Sequence, residues 1–228
     1  VTLAGSGAST YTWDNGVTNG VSFQAKTTKT YTVTGTDANG CVNTATSIVT
    51  VNDLPTVTAT ANQTVCYDAS VTLAGSGASS YTWDNGVSNG ISFLAKTTKT
   101  YTVTGTDVNG CVNTATSIVT VNALTTVIAT ANQTVCYDAS VTLAGSGALT
   151  YTWDNGVSNG VSFQAKTTKT YTVTGTDANG CVNTATSIVT VNDLPTVTAT
   201  ANQTVCYDAS VTLAGSGAST RSEEHTSE

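Results

Sequence analysis

The chain repeats itself every 70 residues, and this period constrains its fold more than any local pattern does. The stretch Val-Thr-Leu-Ala-Gly-Ser-Gly-Ala begins at Val1, Val71, Val141 and Val211. Self-similarity at a fixed period indicates an array of one supersecondary unit, repeated along the chain. The 228 residues therefore contain two complete units, with a partial unit at each end.

The boundary between units is best placed at Asn52-Asp53-Leu54-Pro55, where a Val-rich run ends and a proline interrupts the strand pattern. This phase divides the array into a truncated unit, two complete units and the opening of a further unit, at residues 1–53, 54–123, 124–193 and 194–220. The two partial units are complementary, because one has what the other lacks.

Residues 221–228 differ abruptly from the rest. They contain the only Arg, the only His and all three Glu of the chain. The octapeptide also resembles an in-frame translation of a widely used sequencing adapter. We therefore expect a non-native tail at the end of a metagenomic or shotgun read, and we exclude it from the fold prediction.

Apolar residues alternate with threonine along most of each unit. Val57, Ala59 and Ala61 are separated by single Thr residues, and Tyr81 and Trp83 flank Thr82. A period of two is typical of half-buried antiparallel strands, and Asn-Gly turns separate the runs. We predict six or seven strands per unit, near residues 56–61, 63–67, 70–76, 80–84, 90–94, 99–107 and 111–121 of the second. The expected fold class is all-β, as tandem immunoglobulin-like β-sandwich domains; a β-solenoid is the alternative, although its coils would be much shorter than 70 residues.

Composition excludes several functions. The net charge is −7 and only 9% of residues are charged, so no basic patch for nucleic acid exists. No apolar run approaches the ~18 residues of a membrane span. Outside the tail, general acid–base chemistry would depend on Asp and Lys alone, and we therefore expect no enzyme.

Three segments of the second unit together resemble a known class of module. They are Thr64-Val65-Cys66-Tyr67-Asp68-Ala69-Ser70-Val71-Thr72-Leu73, then Tyr81-Thr82-Trp83, then Thr100-Tyr101-Thr102-Val103-Thr104-Gly105-Thr106-Asp107-Val108-Asn109-Gly110-Cys111. This order resembles the immunoglobulin-like and polycystic-kidney-disease-type modules of large Bacteroidetes surface proteins, and the similarity covers residues 1–220. The resemblance implies a secreted or cell-surface protein, often exported by the type IX system, in which such modules act as spacers and adhesive stalks.

The tryptophans and one tyrosine of each unit are predicted core residues. Trp83 would lie on the third strand, as the buried Trp of immunoglobulin-like sandwiches does, rather than stack on carbohydrate at the surface. Tyr101 stands where a tyrosine corner would anchor the connection into the next-to-last strand. The predicted core set is Trp13, Trp83, Trp153, Tyr31, Tyr101 and Tyr171.

Two cysteines in each complete unit favour an oxidising, extracellular compartment. We favour disulfides within units, joining Cys66 to Cys111 and Cys136 to Cys181. Each would close a 45-residue loop and contribute about 3 to 4 kcal/mol. In a simple immunoglobulin topology, however, these positions lie toward opposite ends of the sandwich, whereas a disulfide needs Cα atoms within about 7 Å. Rearranged first strands, or bonds that cross between neighbouring domains, therefore stay open.

Metal binding is a weaker prediction. The cysteine spacings are long and the repeats lack His, which argues against zinc. Asp107-Val108-Asn109-Gly110 and Asn52-Asp53 offer oxygen ligands for Ca²⁺, but the second junction reads Asn122-Ala123 and has no carboxylate. We expect turn residues here and no cofactor, with Ca²⁺ as the alternative.

The expected function is structural: a spacer or stalk of repeated domains in a secreted or cell-surface bacterial adhesin. Its partners would be the neighbouring repeats, and surface glycans or other cells. The alternative is an array of glycan- or polysaccharide-binding modules, with Tyr67 and Tyr137 as the aromatics least committed to the core pattern. A third hypothesis is that residues 194–220 complete the truncated unit of another molecule by strand addition.

Overall fold

The structure, a computed structural model, describes residues 1–217 and consists of short strands joined by turns. It divides into two compact units, Val1–Val121 and Asn122–Glu228. The predicted non-native tail at 221–228 lies outside the described residues. Within residues 1–217, no helix is long and apolar enough to cross a membrane.

The first unit contains a partial repeat followed by a complete one. The strands of the partial repeat are β1 (Thr10–Trp13), β2 (Lys29–Thr36) and β3 (Val42–Val49). The complete repeat follows, with β4 (Thr58–Ala59), β5 (Gln63–Cys66), β6 (Ala69–Thr72), β7 (Gly75–Ser76), β8 (Ser80–Trp83), β9 (Ser92–Ala95), β10 (Lys99–Thr106) and β11 (Val112–Asn122), the last of which ends at the unit boundary.

The second unit begins with a complete repeat, whose strands follow the same order as those of the complete repeat in the first unit. They are β12 (Ile128–Ala129), β13 (Gln133–Cys136), β14 (Ala139–Thr142), β15 (Gly145–Ser146), β16 (Thr150–Trp153), β17 (Ser162–Ala165), β18 (Lys169–Thr176) and β19 (Val182–Asn192). One further pair belongs to the opening of the next repeat, β20 (Thr198–Ala199) and β21 (Gly215–Ser216).

Each complete repeat is a two-layer sandwich. One layer is a four-stranded sheet in the order β5-β11-β10-β8, and the other consists of the pairs β6-β9 and β4-β7. Strands β10 and β11 pair antiparallel from Lys99↔Val119 to Thr106↔Val112. In the second unit, the segment that contains β12 and β13 crosses between the layers. Strand β12 pairs with β15 in one layer, whereas β13 pairs in parallel with β19 in the other, from Gln133↔Val189 to Cys136↔Asn192.

The core lies between these layers. Val71 and Leu73 from one layer meet Trp83, Val103 and Val119 from the other, and all five side chains are buried. The inward residues of β10 alternate with outward Thr, so the period of two places Tyr101 and Val103 on the same face. The second unit has an equivalent core of its own.

The strand prediction is confirmed. All seven predicted strands of the complete repeat are present, and the one predicted near residues 70–76 is divided into β6 and β7. The β-solenoid alternative is wrong, because the strands of a complete repeat pair with one another and enclose their own core. The fold class is all-β, with tandem immunoglobulin-like sandwiches.

The predicted disulfides within repeats are not formed. Cys111 and Cys136 are free thiols, whereas Cys66 and Cys181 are disulfide-bonded. The parallel register explains why: Cys136 lies opposite Asn192 at one end of β19, and Cys181 precedes the other end. The 11 residues of β19 span roughly 36 Å at ~3.3 Å per residue, far beyond the ~7 Å that a disulfide allows. Cys41 and Cys206 are also free thiols.

Candidate functional site

A buried tryptophan and an asparagine fasten the strand that ends in the tryptophan, which is β8 in the first complete repeat. Trp83, at the end of β8, is 9% exposed, and its indole Nε1 donates a hydrogen bond to Asn89 Oδ1 at 3.0 Å. The backbone amide of Gly75 donates to the same oxygen at 2.7 Å. One amide side chain therefore ties the loop after β8 to β7 in the other layer.

The same arrangement recurs in the other repeats. Trp13 and Trp153 are buried, and they donate to Asn19 and Asn159 at 3.0 and 2.9 Å. Sequence reasoning assigned Asn89 only to a turn and did not recognise this anchor. The constant Trp-to-Asn spacing of six residues in each repeat is a signal that could have found it.

The tyrosines have two distinct roles. The Tyr81 hydroxyl donates to the Ala78 carbonyl and accepts from the Ala78 amide, both at 2.6 Å. Tyr101, predicted as the tyrosine corner, is buried instead against Phe93, with ring centroids 5.3 Å apart. The backbone anchor that the structure shows is thus the hydroxyl of Tyr81.

Burial raises the pKa of the Tyr101 phenol above its ordinary value, and the negative charge of Asp84 raises it further. The same two causes, in the same order, raise the pKa of Tyr171, where the charge is that of Asp154. Tyr31 is buried at the equivalent place in the partial repeat.

The acidic turn residues bind backbone amides. Asp107 Oδ1 accepts from the amides of Asn109 and Cys111 at 2.9 and 2.8 Å. Asp84 Oδ1 accepts from the Thr102 amide at 2.9 Å. In the part of the chain that the structure describes, no group of three or more His, Cys, Asp or Glu could hold a metal ion. The Asp107 carboxylate, which was considered as a Ca²⁺ ligand, is thus already hydrogen-bonded to backbone amides of its own turn.

Tyr67 and Tyr137 are the aromatic side chains of the complete repeats that face solvent. Their exposed fractions are 44% and 43%. Each lies in the tight turn after the short strand that ends in a cysteine, and the next residue, Asp68 in the first case, has a φ of 65°. Asp68, which follows Tyr67 in the sequence, also forms an exposed ion pair with Lys96: its Oδ1 lies 4.0 Å from Lys96 Nζ.

No family model matches the chain, and no curated protein matches it. Among solved structures, it is similar to one described as "Ca2+-stabilized adhesin helps an Antarctic bacterium reach out and bind ice", with 22% identity and a TM-score of 0.34, over 77% of this chain and 60% of that one.

Two further solved structures are also similar. Immunoglobulin domains 1–5 of Sidekick-1 share 12% identity at a TM-score of 0.26, over 81% of this chain and 52% of that one. Domains EC22–24 of mouse cadherin-23 share 12% identity at a TM-score of 0.25, over 72% and 74%. The chain spans less than two thirds of the adhesin and of the Sidekick-1 structure. At these identities the likeness concerns the fold alone.

Proposed function

We propose that this chain is part of a stalk: a series of immunoglobulin-like domains that bears tension in a secreted or cell-surface bacterial adhesin. The observation that carries the proposal is the parallel pairing of β13 with β19. Strand β13 is the first four-residue strand of its repeat and follows only the two-residue β12, and β19 is the last strand, so both lie close to the points at which the chain enters and leaves the domain.

Tension along the chain would load this pairing in shear. The chain enters β13 at Gln133, after the two-residue β12, and leaves β19 at Asn192, and these two residues lie at opposite ends of the paired segment. A pull therefore acts along the strands, and the interstrand hydrogen bonds must break together rather than one after another. The same neighbours, β5 and β11, occur in the other complete repeat.

Other features agree with a structural role. Each complete repeat has its own core, the side chains of Asn89 and Asp107 are bound to backbone amides, and the outward strand positions are largely Thr. Disulfide bonding at Cys66 and Cys181 suits an oxidising compartment outside the cell. The proposal has three finer parts. The complete domains span residues 54–123 and 124–193, the protein is a surface protein of the Bacteroidetes type, and this chain has no catalytic activity.

Single-molecule force spectroscopy tests this function. The 228-residue chain is pulled between terminal handles in a reducing buffer. We expect two unfolding events, each lengthening the chain by roughly 20 nm, since ~70 residues at ~3.6 Å per residue replace a folded domain a few nanometres long. Val135→Pro should break the pairing of β13 and lower the force of one event only, because proline is not tolerated inside a paired strand. Featureless extension of the unaltered chain, or an unchanged force in the variant, would contradict a load-bearing role.

The exposed tyrosines favour a second candidate function, binding of glycans. Both complete repeats present Tyr67 or its equivalent Tyr137 to solvent. A glycan array probed with the unaltered chain and with the double variant Tyr67→Ala/Tyr137→Ala tests this. The matched control is Ile118→Ala/Ile188→Ala, since both isoleucines are 40% exposed in the same two repeats. Glycan binding that is lost in the tyrosine variant but kept in the isoleucine variant would support glycan recognition by these tyrosines. Glycan binding that survives in the tyrosine variant would show that they are not the binding residues.

A further inference from the structure

Each complete repeat contains three Asn-Gly pairs, and the structure makes them chemically unequal. In the first complete repeat they are Asn85-Gly86, Asn89-Gly90 and Asn109-Gly110. An asparagine followed by glycine is prone to deamidation, because glycine has no side chain to hinder attack of its backbone nitrogen on the asparagine side chain. All three asparagines are exposed, so access to water does not distinguish them.

Deamidation begins at the backbone nitrogen of the glycine. In the pair Asn85-Gly86, this nitrogen attacks the side-chain Cγ of Asn85, and the new N–Cγ bond closes a five-membered succinimide ring. The Cγ–Nδ2 bond then breaks, and Nδ2 leaves as ammonia with the proton that the glycine amide has lost. Water opens the ring at either carbonyl and gives aspartate or isoaspartate. No atom is oxidised or reduced, and water is the only co-reactant.

Two of the three glycine amides are already engaged in hydrogen bonds. The Gly90 amide donates to the Leu73 carbonyl at 2.8 Å, and the Gly110 amide donates to the Asp107 carbonyl at 3.2 Å. Attack on the side chain requires this hydrogen bond to break first, which slows the reaction. Asn89 is held a second time, because its Oδ1 accepts two further hydrogen bonds.

The amide of Gly86 differs from the other two. Among the residues that the structure describes, none accepts a hydrogen bond from it. Asn85 has a φ of 54°, and its side chain is held through Nδ2, the atom that leaves. This nitrogen donates to Asp84 Oδ1 at 3.0 Å and to the Thr100 carbonyl at 3.4 Å. The attacking nitrogen therefore has no hydrogen bond to give up.

The same difference recurs in the other repeats. The Gly160 and Gly180 amides donate to carbonyl oxygens at 2.8 and 3.2 Å, whereas no described residue accepts from the amide that follows Asn155. The amide that follows Asn15 in the partial repeat also has no acceptor among residues 1–217. Asn15 and Asn155 have φ values of 53° and 54°, close to that of Asn85. The unprotected amide is thus a property of this turn in every repeat where the turn is present.

We propose that Asn15, Asn85 and Asn155 are sites of spontaneous deamidation in the folded protein, and that the other Asn-Gly pairs of these repeats are protected. In the first complete repeat, the reaction places a new carboxylate beside Asp84 and removes the Nδ2 donor that Asp84 Oδ1 accepts. Two like charges then adjoin at the end of β8, so the reaction weakens the repeat in which it occurs. This goes beyond the stalk function, because it assigns a site of irreversible modification by water to one turn of each repeat.

Site-resolved mass spectrometry tests the proposal. The chain is incubated at mildly alkaline pH, either folded or in concentrated urea, and fragmentation after proteolysis assigns each gain of about 1 Da to one asparagine. In the folded chain, Asn85 and Asn155 should react roughly tenfold faster than Asn89 and Asn109, since one hydrogen bond protects each slower site. In urea all pairs should react at similar rates, because no amide is protected there. Equal folded rates at all pairs, or an Asn85 that reacts only in urea, would overturn the proposal.

Two kinds of variant test the site and its consequence. Asn85→Gly removes the reacting side chain at a φ that glycine adopts readily, and it should abolish the reaction in that repeat while Asn155 still reacts in the same molecule. Asn85→Asp reproduces one product and should lower the urea midpoint of its repeat. The matched control is Asn109→Asp, which adds the same charge at an exposed residue whose described hydrogen bond is made by its backbone amide. Equal midpoints for the two aspartate variants would contradict the weakening.

Discussion

The indole Nε1 of Trp83 donates to Asn89 Oδ1 at 3.0 Å, and the Gly75 amide shares that acceptor at 2.7 Å. One side chain thus satisfies two donors on different layers of the sandwich. We expect Asn89→Ala to destabilise its repeat by about 1 to 3 kcal/mol, because it removes the acceptor of the part-buried Trp83 indole and of the Gly75 amide. Urea unfolding followed by tryptophan fluorescence should show one transition shifted. Asn109→Ala is the control, because only its backbone amide contacts Asp107, and an equal shift in both variants would contradict the anchor.

Gly77 is required both for its backbone conformation and because no space is left for a side chain beside it. It has a φ of 89°, and a Cβ there would overlap the Thr56 carbonyl oxygen. Gly110 has a φ of 80° but nothing within 4 Å. Gly110→Ala should therefore cost about 1 kcal/mol from backbone conformation alone. Gly77→Ala should cost clearly more and displace the opening strand, measured by the same urea titration and by increased proteolysis near Pro55. Equal costs for the two variants would show that the close approach has no energetic weight.

The cysteine chemistry can be checked directly. Alkylation of the folded chain without reductant should label Cys41, Cys111, Cys136 and Cys206, while Cys66 and Cys181 should react only after reduction. Disulfides within repeats would instead protect Cys111 and Cys136. Peptide mapping by mass spectrometry distinguishes these outcomes, and Cys111, which is half-buried, should label more slowly than the exposed Cys41.

Alkaline pH should destabilise both complete repeats. Burial, reinforced by Asp84 and Asp154, raises the pKa of Tyr101 and Tyr171 in the folded state. Above pH ~10 the unfolded chain loses these protons while the folded chain keeps them, so ionisation favours unfolding. The contribution is therefore complete below pH ~10 and is lost as the pH rises through the folded pKa. Urea midpoints at pH 8 to 11 should fall, and Tyr101→Phe/Tyr171→Phe should flatten this fall whereas Tyr67→Phe should not. An equally steep fall without both buried phenols would contradict this cause.

Calcium removal should leave the melting temperature unchanged. Asp107 Oδ1 already accepts from two backbone amides, and this explains the acidic turn without a cation. Asp107→Ala should cost about 1 to 2 kcal/mol with or without chelator, because it removes an ionised acceptor. Thermal unfolding in EDTA and in CaCl₂ tests this, and a calcium-dependent increase that disappears in Asp107→Ala would identify a metal site instead.

Much of the fold could be predicted because its signals are local. Alternation of apolar residues with Thr positioned most strands of a repeat, and the Asn-Gly turns helped to separate them. The hydrogen-bond partners of Asn89 and Tyr81 could not be predicted in the same way. They depend on loops that meet across the two layers, and short-range periodicity carries no information about which loops meet.

The cysteines show most clearly which features can be predicted from local sequence and which depend on the tertiary structure. The sequence by itself determined that two cysteines recur in each complete unit, that the array is all-β, and that each complete repeat has its own core residues, such as Trp83 and Val103. Only the tertiary structure decided that the first long strand pairs in parallel with the last, as β13 does with β19. This register places Cys136 and Cys181 at opposite ends of one long strand, because an extended chain separates its ends by several ångströms per residue.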